Sequence, residues 1–187
     1  PREAVALASV RNAGEFIEDI TAGLKKEILE EFASVEPGLQ VNIENATTSD
    51  KAISEEDSRK IILTLKSLHN GVYRMSPDVQ DLVESSNNVA RVELKEGALK
   101  ILNLSRSSVE SSKDSVAEQL KSVADLAGMN TEFSGSYPGW KPKPGSEIVQ
   151  LMEKIYTEKF TDKPHVVACH AGLECGIIGA NYPDMEM

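Results

Sequence analysis

The chain has 187 residues, 40% of them hydrophobic and 27% charged, a globular composition at a length that accommodates one or two domains with a sizeable core. Thirty acidic against twenty basic side chains leave a formal net charge of -10, which argues against a nonspecific hold on nucleic-acid phosphates or anionic lipid. No run approaches the ~20 apolar residues needed to span a bilayer, and the first residues lack the charged-then-apolar pattern of a signal peptide.

Residues 3–10 are small and apolar and read as a buried strand. Asn12 is placed to cap a helix, with Glu15 three residues on, and Phe16, Ile20, Leu24, Ile28 and Phe32 then recur every four residues as far as Pro37-Gly38. Leu39, Val41 and Ile43 alternate with polar residues, the pattern of a half-buried strand. After a polar loop, Ser54 with Glu55, Glu56 and Asp57 opens a helix carrying Ile61, Ile62, Leu65 and Leu68, which stops at Asn70-Gly71. A less regular segment runs through Ser76-Pro77, and Val79, Leu82 and Val83 suggest a short helical turn. Residues 89–94 and 99–104 are apolar alternations joined by Lys95-Glu96-Gly97-Ala98, a hairpin composition. Ser108 or Ser111 starts a helix with Val116, Leu120, Val123 and Leu126, closed by Gly128, and Phe133 marks a short strand ending at Gly135.

This order predicts an α+β first domain, residues 1–137, with an antiparallel sheet and helices packed on one face. Residues 138–145, which carry Pro138, Pro142 and Pro144, cannot be helical and form a linker or hinge. Beyond it, Ile148, Leu151, Met152 and Ile155 pattern a helix, and residues 165–168 a buried strand before a turn at Gly172. The segment 146–187 is too short for an independent core and must pack on something larger. The start at Pro1 and the end at Tyr182-Pro183-Asp184-Met185-Glu186-Met187 carry no helix stop or polar tail. Either the protein has abrupt termini or the chain is a piece of something longer.

Three groups of residues are candidates for chemistry. His165, Cys169, His170 and Cys175 are zinc-ligand types, but on a strand His165 and Cys169 share one face while His170 takes the other, so the spacing opposes a four-ligand shell. Cys169 then reads as a small buried residue, and two cysteines separated by five residues form no disulfide framework, which suits a reducing cytosol. His170 and Glu174 lie where a predicted strand gives way to a helix, a position that lines ligand crevices in α/β sheets; the competing reading is a turn in which His170 caps the helix and Glu174 sits in its first turn. Arg106 ends an apolar strand, where its fork of donors matches a carboxylate, or is simply a solvated cation. The sequence holds no phosphate-binding Gly-rich loop, Cys-x-x-Cys, His-Glu-x-x-His or nucleophile elbow.

Several stretches together resemble a known family. Pro1-Arg2-Glu3-Ala4, Asn70-Gly71-Val72 with Arg74 and Ser76, Glu84-Ser85-Ser86 with Asn88-Val89, Tyr137-Pro138-Gly139-Trp140, and above all His170-Ala171-Gly172-Leu173-Glu174-Cys175-Gly176 followed by Tyr182-Pro183 resemble the later part of the aminoacyl-histidine (Xaa-His) dipeptidases, cytosolic zinc peptidases of the M20 group. The resemblance implies a lid domain of ferredoxin-like βαβ units over residues 1–137 and, in 146–187, an α/β segment of an incomplete catalytic domain. It implies a dipeptide substrate, cleaved by a water activated between two zinc ions whose ligands lie outside this chain, so that no residue here is catalytic or a metal ligand and the piece alone is inactive. It further implies that Arg106 takes the substrate's C-terminal carboxylate, that His170 and Glu174 line the substrate pocket, that the lid contributes to a homodimer, and that the enzyme is cytoplasmic. The alternative is a noncatalytic α+β interaction or dimerisation domain.

Overall fold

In the computed structural model, which describes residues 3–47, 51–143, 145–168, 170 and 173–187, the four-residue spacing of Phe16 to Phe32 folds as expected into helix. Helix α1 (Ala13–Asp19) runs through a π-helical stretch (Ile20–Leu24) into α2 (Lys25–Phe32), with right-handed helical backbone at each junction. The wider turn re-phases the apolar stripe by one residue, at a segment containing the weak helix former Gly23. This rod is the regular part of a first compact unit, Pro1–Ser54. Residues 3–10 and 39–43, patterned as strands, pair with no other strand among the described residues, and Val5 is 95% exposed. Alternation or apolarity marks a segment that suits a sheet, but only a ladder partner makes it a strand.

The second unit, Glu55–Met187, is α+β. Helix α3 (Glu55–Ser67) leads into β1 (Gly71–Met75), β2 (Val83–Lys95) and β3 (Ala98–Ser107), an antiparallel meander in the order β1-β2-β3. The two residues between β2 and β3, Glu96 and Gly97, both have positive φ, the backbone that lets a two-residue turn follow the right-handed twist of its strands. Helix α4 (Glu110–Leu126) returns across the sheet, and α5 (Glu147–Phe160) and α6 (Glu174–Asn181) complete the unit.

The ladder assigns each strand residue to a face. Opposed pairs Ser85 and Ser107, Asn87 and Ser105, and Val89 and Asn103 share the inner face; Ser86 and Arg106, and Asn88 and Leu104, share the outer one. On the inner face Leu68, Val116 and Leu120 form the buried core, with Leu65, Tyr73, Val89, Ile101 and Val123 packed around it. One end of that face is polar yet buried. The Ser85 and Ser112 hydroxyls are 2.9 Å apart, and the Asn87 amide donates to the His69 carbonyl (2.7 Å) and Asn103 Oδ1 (3.1 Å) while accepting from the Ser105 hydroxyl (2.8 Å). Each group has a partner, so the burial does not strand a polar atom.

Three further sequence expectations differ in the structure. Val83 opens β2 rather than belonging to a helical turn, because residues 79–82 are a turn in which the Ser76 amide donates to the Leu82 carbonyl. Residues 131–143 contain no strand at Phe133, and residues 165–168 run without a ladder partner among the described residues, Val167 being 86% exposed. Since Val116 is 0% exposed at the centre of a small core, Val116→Ala is expected to lower the unfolding free energy by about 2 kcal/mol. Leu126→Ala, at a residue 90% exposed, should change it by less than about 0.5 kcal/mol; urea unfolding of both variants checks the contrast.

Candidate substrate-binding site

Arg106 is the penultimate residue of β3 and faces outward, away from α4. Its side chain is exposed, and among the described residues its guanidinium makes no hydrogen bond or ion pair. Directly opposite on β2 stands Ser86, and opposed residues of an antiparallel pair have Cβ atoms about 4.5–5.5 Å apart. The Ser86 hydroxyl lies 3.0 Å from Nε2 of His170, 84 residues later in the chain. Two of the three candidate residues, Arg106 and His170, are therefore gathered on the outer face around one strand pair.

His170 does not cap α6. The helix begins after Leu173, which has extended backbone and no side-chain cap, and the histidine ring is engaged by the sheet instead. Glu174 does occupy the first turn of α6, where a carboxylate is favoured by the helix dipole. Its side chain is exposed and makes no hydrogen bond or ion pair among the described residues, so no contact ties it to Arg106 or Ser86.

What holds α6 against the sheet is a close stack of backbones. A Cβ on Gly139 would lie 2.7 Å from the Ser108 carbonyl carbon and oxygen and 2.9 Å from the Ser107 carbonyl oxygen; one on Gly176 would lie 2.7 Å from the Pro138 carbonyl oxygen. Only a residue without a side chain fits at either position. The segment is also tied to the start of α4: the Gly139 amide donates to Glu110 Oε1 (2.5 Å), Lys113 Nζ donates to the Tyr137 carbonyl (2.8 Å), and Lys113 pairs with Glu110 at 2.7 Å. Partial desolvation pushes the Glu110 carboxyl upward, but the hydrogen bonds from Lys113 and the Gly139 amide, with the Lys113 charge, outweigh it and hold the group below its ordinary value. The sequence marked residues 138–145 as linker or hinge; nothing in their composition announced that Gly139 is clamped.

Close by on the outer side of β2, the buried Glu84 carboxylate has Oε1 3.5 Å from Arg74 Nε, an ion pair outside hydrogen-bond geometry, so that oxygen has charge compensation but no donor among the described residues. Among the described residues no three His, Cys, Asp or Glu side chains come together in a group that could hold a metal ion. The residues described here therefore do not fit the implied metal pair. Cys169, a member of the His/Cys set weighed from the sequence, lies outside the described residues, as do Ala171 and Gly172.

The whole chain aligns with known enzymes. It is 32% identical over 188 aligned positions to the cytosol non-specific dipeptidase of Escherichia coli (strain K12), an alignment that takes in 100% of this chain and 39% of that protein. The chain is homologous to part of that dipeptidase. The crystal structure of aminoacylhistidine dipeptidase from Vibrio alginolyticus superposes on 93% of the chain with a TM-score of 0.87 and 35% identity, a match that takes in 35% of the solved chain. This chain thus spans well under half the length of the dipeptidases it matches. No protein-family model matches it. The structural match agrees with the α+β architecture expected from the sequence.

The clamp makes a prediction about acid. A carboxyl whose folded-state value is lowered contributes stability that is present above its unfolded value, about 4.3 for glutamate, and is lost as pH falls through the folded value. Protection of the Gly139 amide against hydrogen exchange should accordingly persist at neutral pH and fade below that range. Glu110→Gln should lose protection at neutral pH, and Gly176→Ala should expose α6 to limited proteolysis; equal protection in all three proteins would contradict the clamp.

Proposed function

We propose that the chain supplies the lid and part of the substrate pocket of a metal-dependent dipeptidase, acting on Xaa-His dipeptides and tolerating others. The observation that carries this reading is the exposed Arg106 fork, without a hydrogen bond or ion pair among the described residues, beside the Ser86–His170 contact, in a chain homologous along its length to part of a dipeptidase. In this reading residues 1–137 are the lid, 138–145 the linker or hinge and 146–187 part of the catalytic domain. The two metal ions, zinc by family resemblance, would be held by ligands outside this chain. A cytoplasmic location fits the name of the Escherichia coli relative, and among the described residues no helix is long and apolar enough to cross a membrane. A homodimer would form through the lid.

The chemistry assigned to these residues is recognition. Arg106 presents parallel N–H donors that pair with both oxygens of a C-terminal carboxylate, a charge-assisted arrangement about twice as strong as a neutral hydrogen bond. His170 and Glu174 line the pocket on the α6 side, where the imidazole is held by the sheet and the exposed carboxylate, without a partner among the described residues, meets a cationic group of the substrate. A cation fixed one residue from the scissile bond selects the C-terminal peptide bond, which in a dipeptide is the only one.

The test uses the full gene product that carries this chain. Arg106→Ala should lower kcat/KM for a free dipeptide by roughly 10- to 100-fold, the size expected for loss of hydrogen bonds to a charged group, while Arg106→Lys should retain part of it. The same dipeptide with its terminus amidated should be a poor substrate of the unsubstituted protein, and the preference for acid over amide should disappear in Arg106→Ala. An unchanged acid-to-amide ratio would remove the carboxylate role.

A further inference from the structure

We infer that Ser86 is a positioning residue: its hydroxyl engages Nε2 of His170 and leaves Nδ1 as the ring nitrogen available to the substrate. The inference rests on the proposed dipeptidase reading of the outer face and adds to it a residue and an atom. His170 precedes a helix whose start has no side-chain cap, and among the described residues the ring's hydrogen bond is to the sheet. The anchor comes from β2, at the residue whose ladder partner is Arg106.

This geometry has an energetic consequence. A free imidazole samples several rotamers and two tautomers, and ordering it on binding costs part of the affinity it provides. A hydroxyl 3.0 Å from Nε2 restricts the ring before substrate arrives. Because the hydroxyl both donates and accepts, it holds the ring in either neutral tautomer, and the state of Nδ1 is then set by the substrate group that meets it. The same strand pair fixes where the Arg106 side chain begins. The separation between the carboxylate-binding fork and the imidazole is thus determined by one register position, not by the packing of two independently placed loops.

Kinetics and ring spectroscopy on the full gene product test this. Ser86→Ala should raise KM for a dipeptide about five- to tenfold, the size of one neutral hydrogen bond's contribution to orientation, with kcat within about twofold. Ser86→Thr, which keeps the hydroxyl, should restore KM. Ser86→Ala combined with His170→Ala should be no worse than His170→Ala alone, since the serine acts through the ring. Nitrogen-15 spectra of histidine-labelled protein should show the His170 ring signals moving in Ser86→Ala and returning in Ser86→Thr, with His165 unmoved. An active unsubstituted protein in which Ser86→Ala changes neither KM nor the His170 signals overturns the inference while leaving the dipeptidase reading intact, as would additive losses in the double variant. Absence of dipeptide hydrolysis by the unsubstituted protein overturns the reading and the inference together.

Discussion

Backbone contact without intervening side chains, at Gly139 and Gly176, is the constraint on which the site depends. The Pro138-Gly139 peptide lies between the end of β3 and the first turn of α6, and two bonds to the start of α4 keep it there. This brings elements that are remote in sequence to within van der Waals distance of each other. Van der Waals contact between backbones leaves no slack for rotamers to absorb, so the stack fixes distance more tightly than a packed pair of side chains would. His170 reaches Ser86 because the chain a few residues after it is fixed in this way.

The sheet divides its work between two faces. The inner face binds α3 and α4 through a small apolar core and, toward the end nearest the site, through hydroxyl and amide contacts among Ser85, Asn87, Ser105 and Ser112. Hydrogen bonds are directional where apolar contacts are not, so this end of the sheet holds its register by chemistry as well as by shape. The outer face at the same strand positions carries Ser86 and Arg106. A residue that must meet a charged ligand at a set place thus stands on the reverse side of the most specifically bonded part of the structure.

How far the sequence foretold this follows from what periodicity can detect. The apolar repeats of Phe16 to Phe32, Ile61 to Leu68 and Val116 to Leu126 marked helices, and residues 89–104 marked a hairpin, because burial there is apolar and regular. The first half of β2, Val83-Glu84-Ser85-Ser86-Asn87-Asn88, escaped because its inward residues are satisfied by hydrogen bonds and leave no hydrophobic alternation. Residues 3–10, 39–43 and 165–168 erred the other way: they have strand character without a described neighbour to pair with. Arg106 was visible as a cation at a strand end, and His170 as a polar residue at a turn, but their common face was not. It arises from a cross-strand register and from a contact spanning 84 residues, neither of which has a local signature.

The ladder between β2 and β3 slips by one residue between Val89 and Arg91. Below the slip Ser86 and Asn88 point outward; above it Arg91 and Glu93 do, opposite Leu102 and Lys100. The bulge is therefore a parity switch, and parity is what a pleated strand otherwise transmits along its whole length. Strand β1 begins at the pairing of Gly71 with Asn87, so from Asn88 onward the hairpin is a two-stranded ribbon. Ribbon and site are consequently separate modules of inheritance: matched additions or losses at the tip can accumulate without turning Ser86 and Arg106 to the wrong side of the sheet.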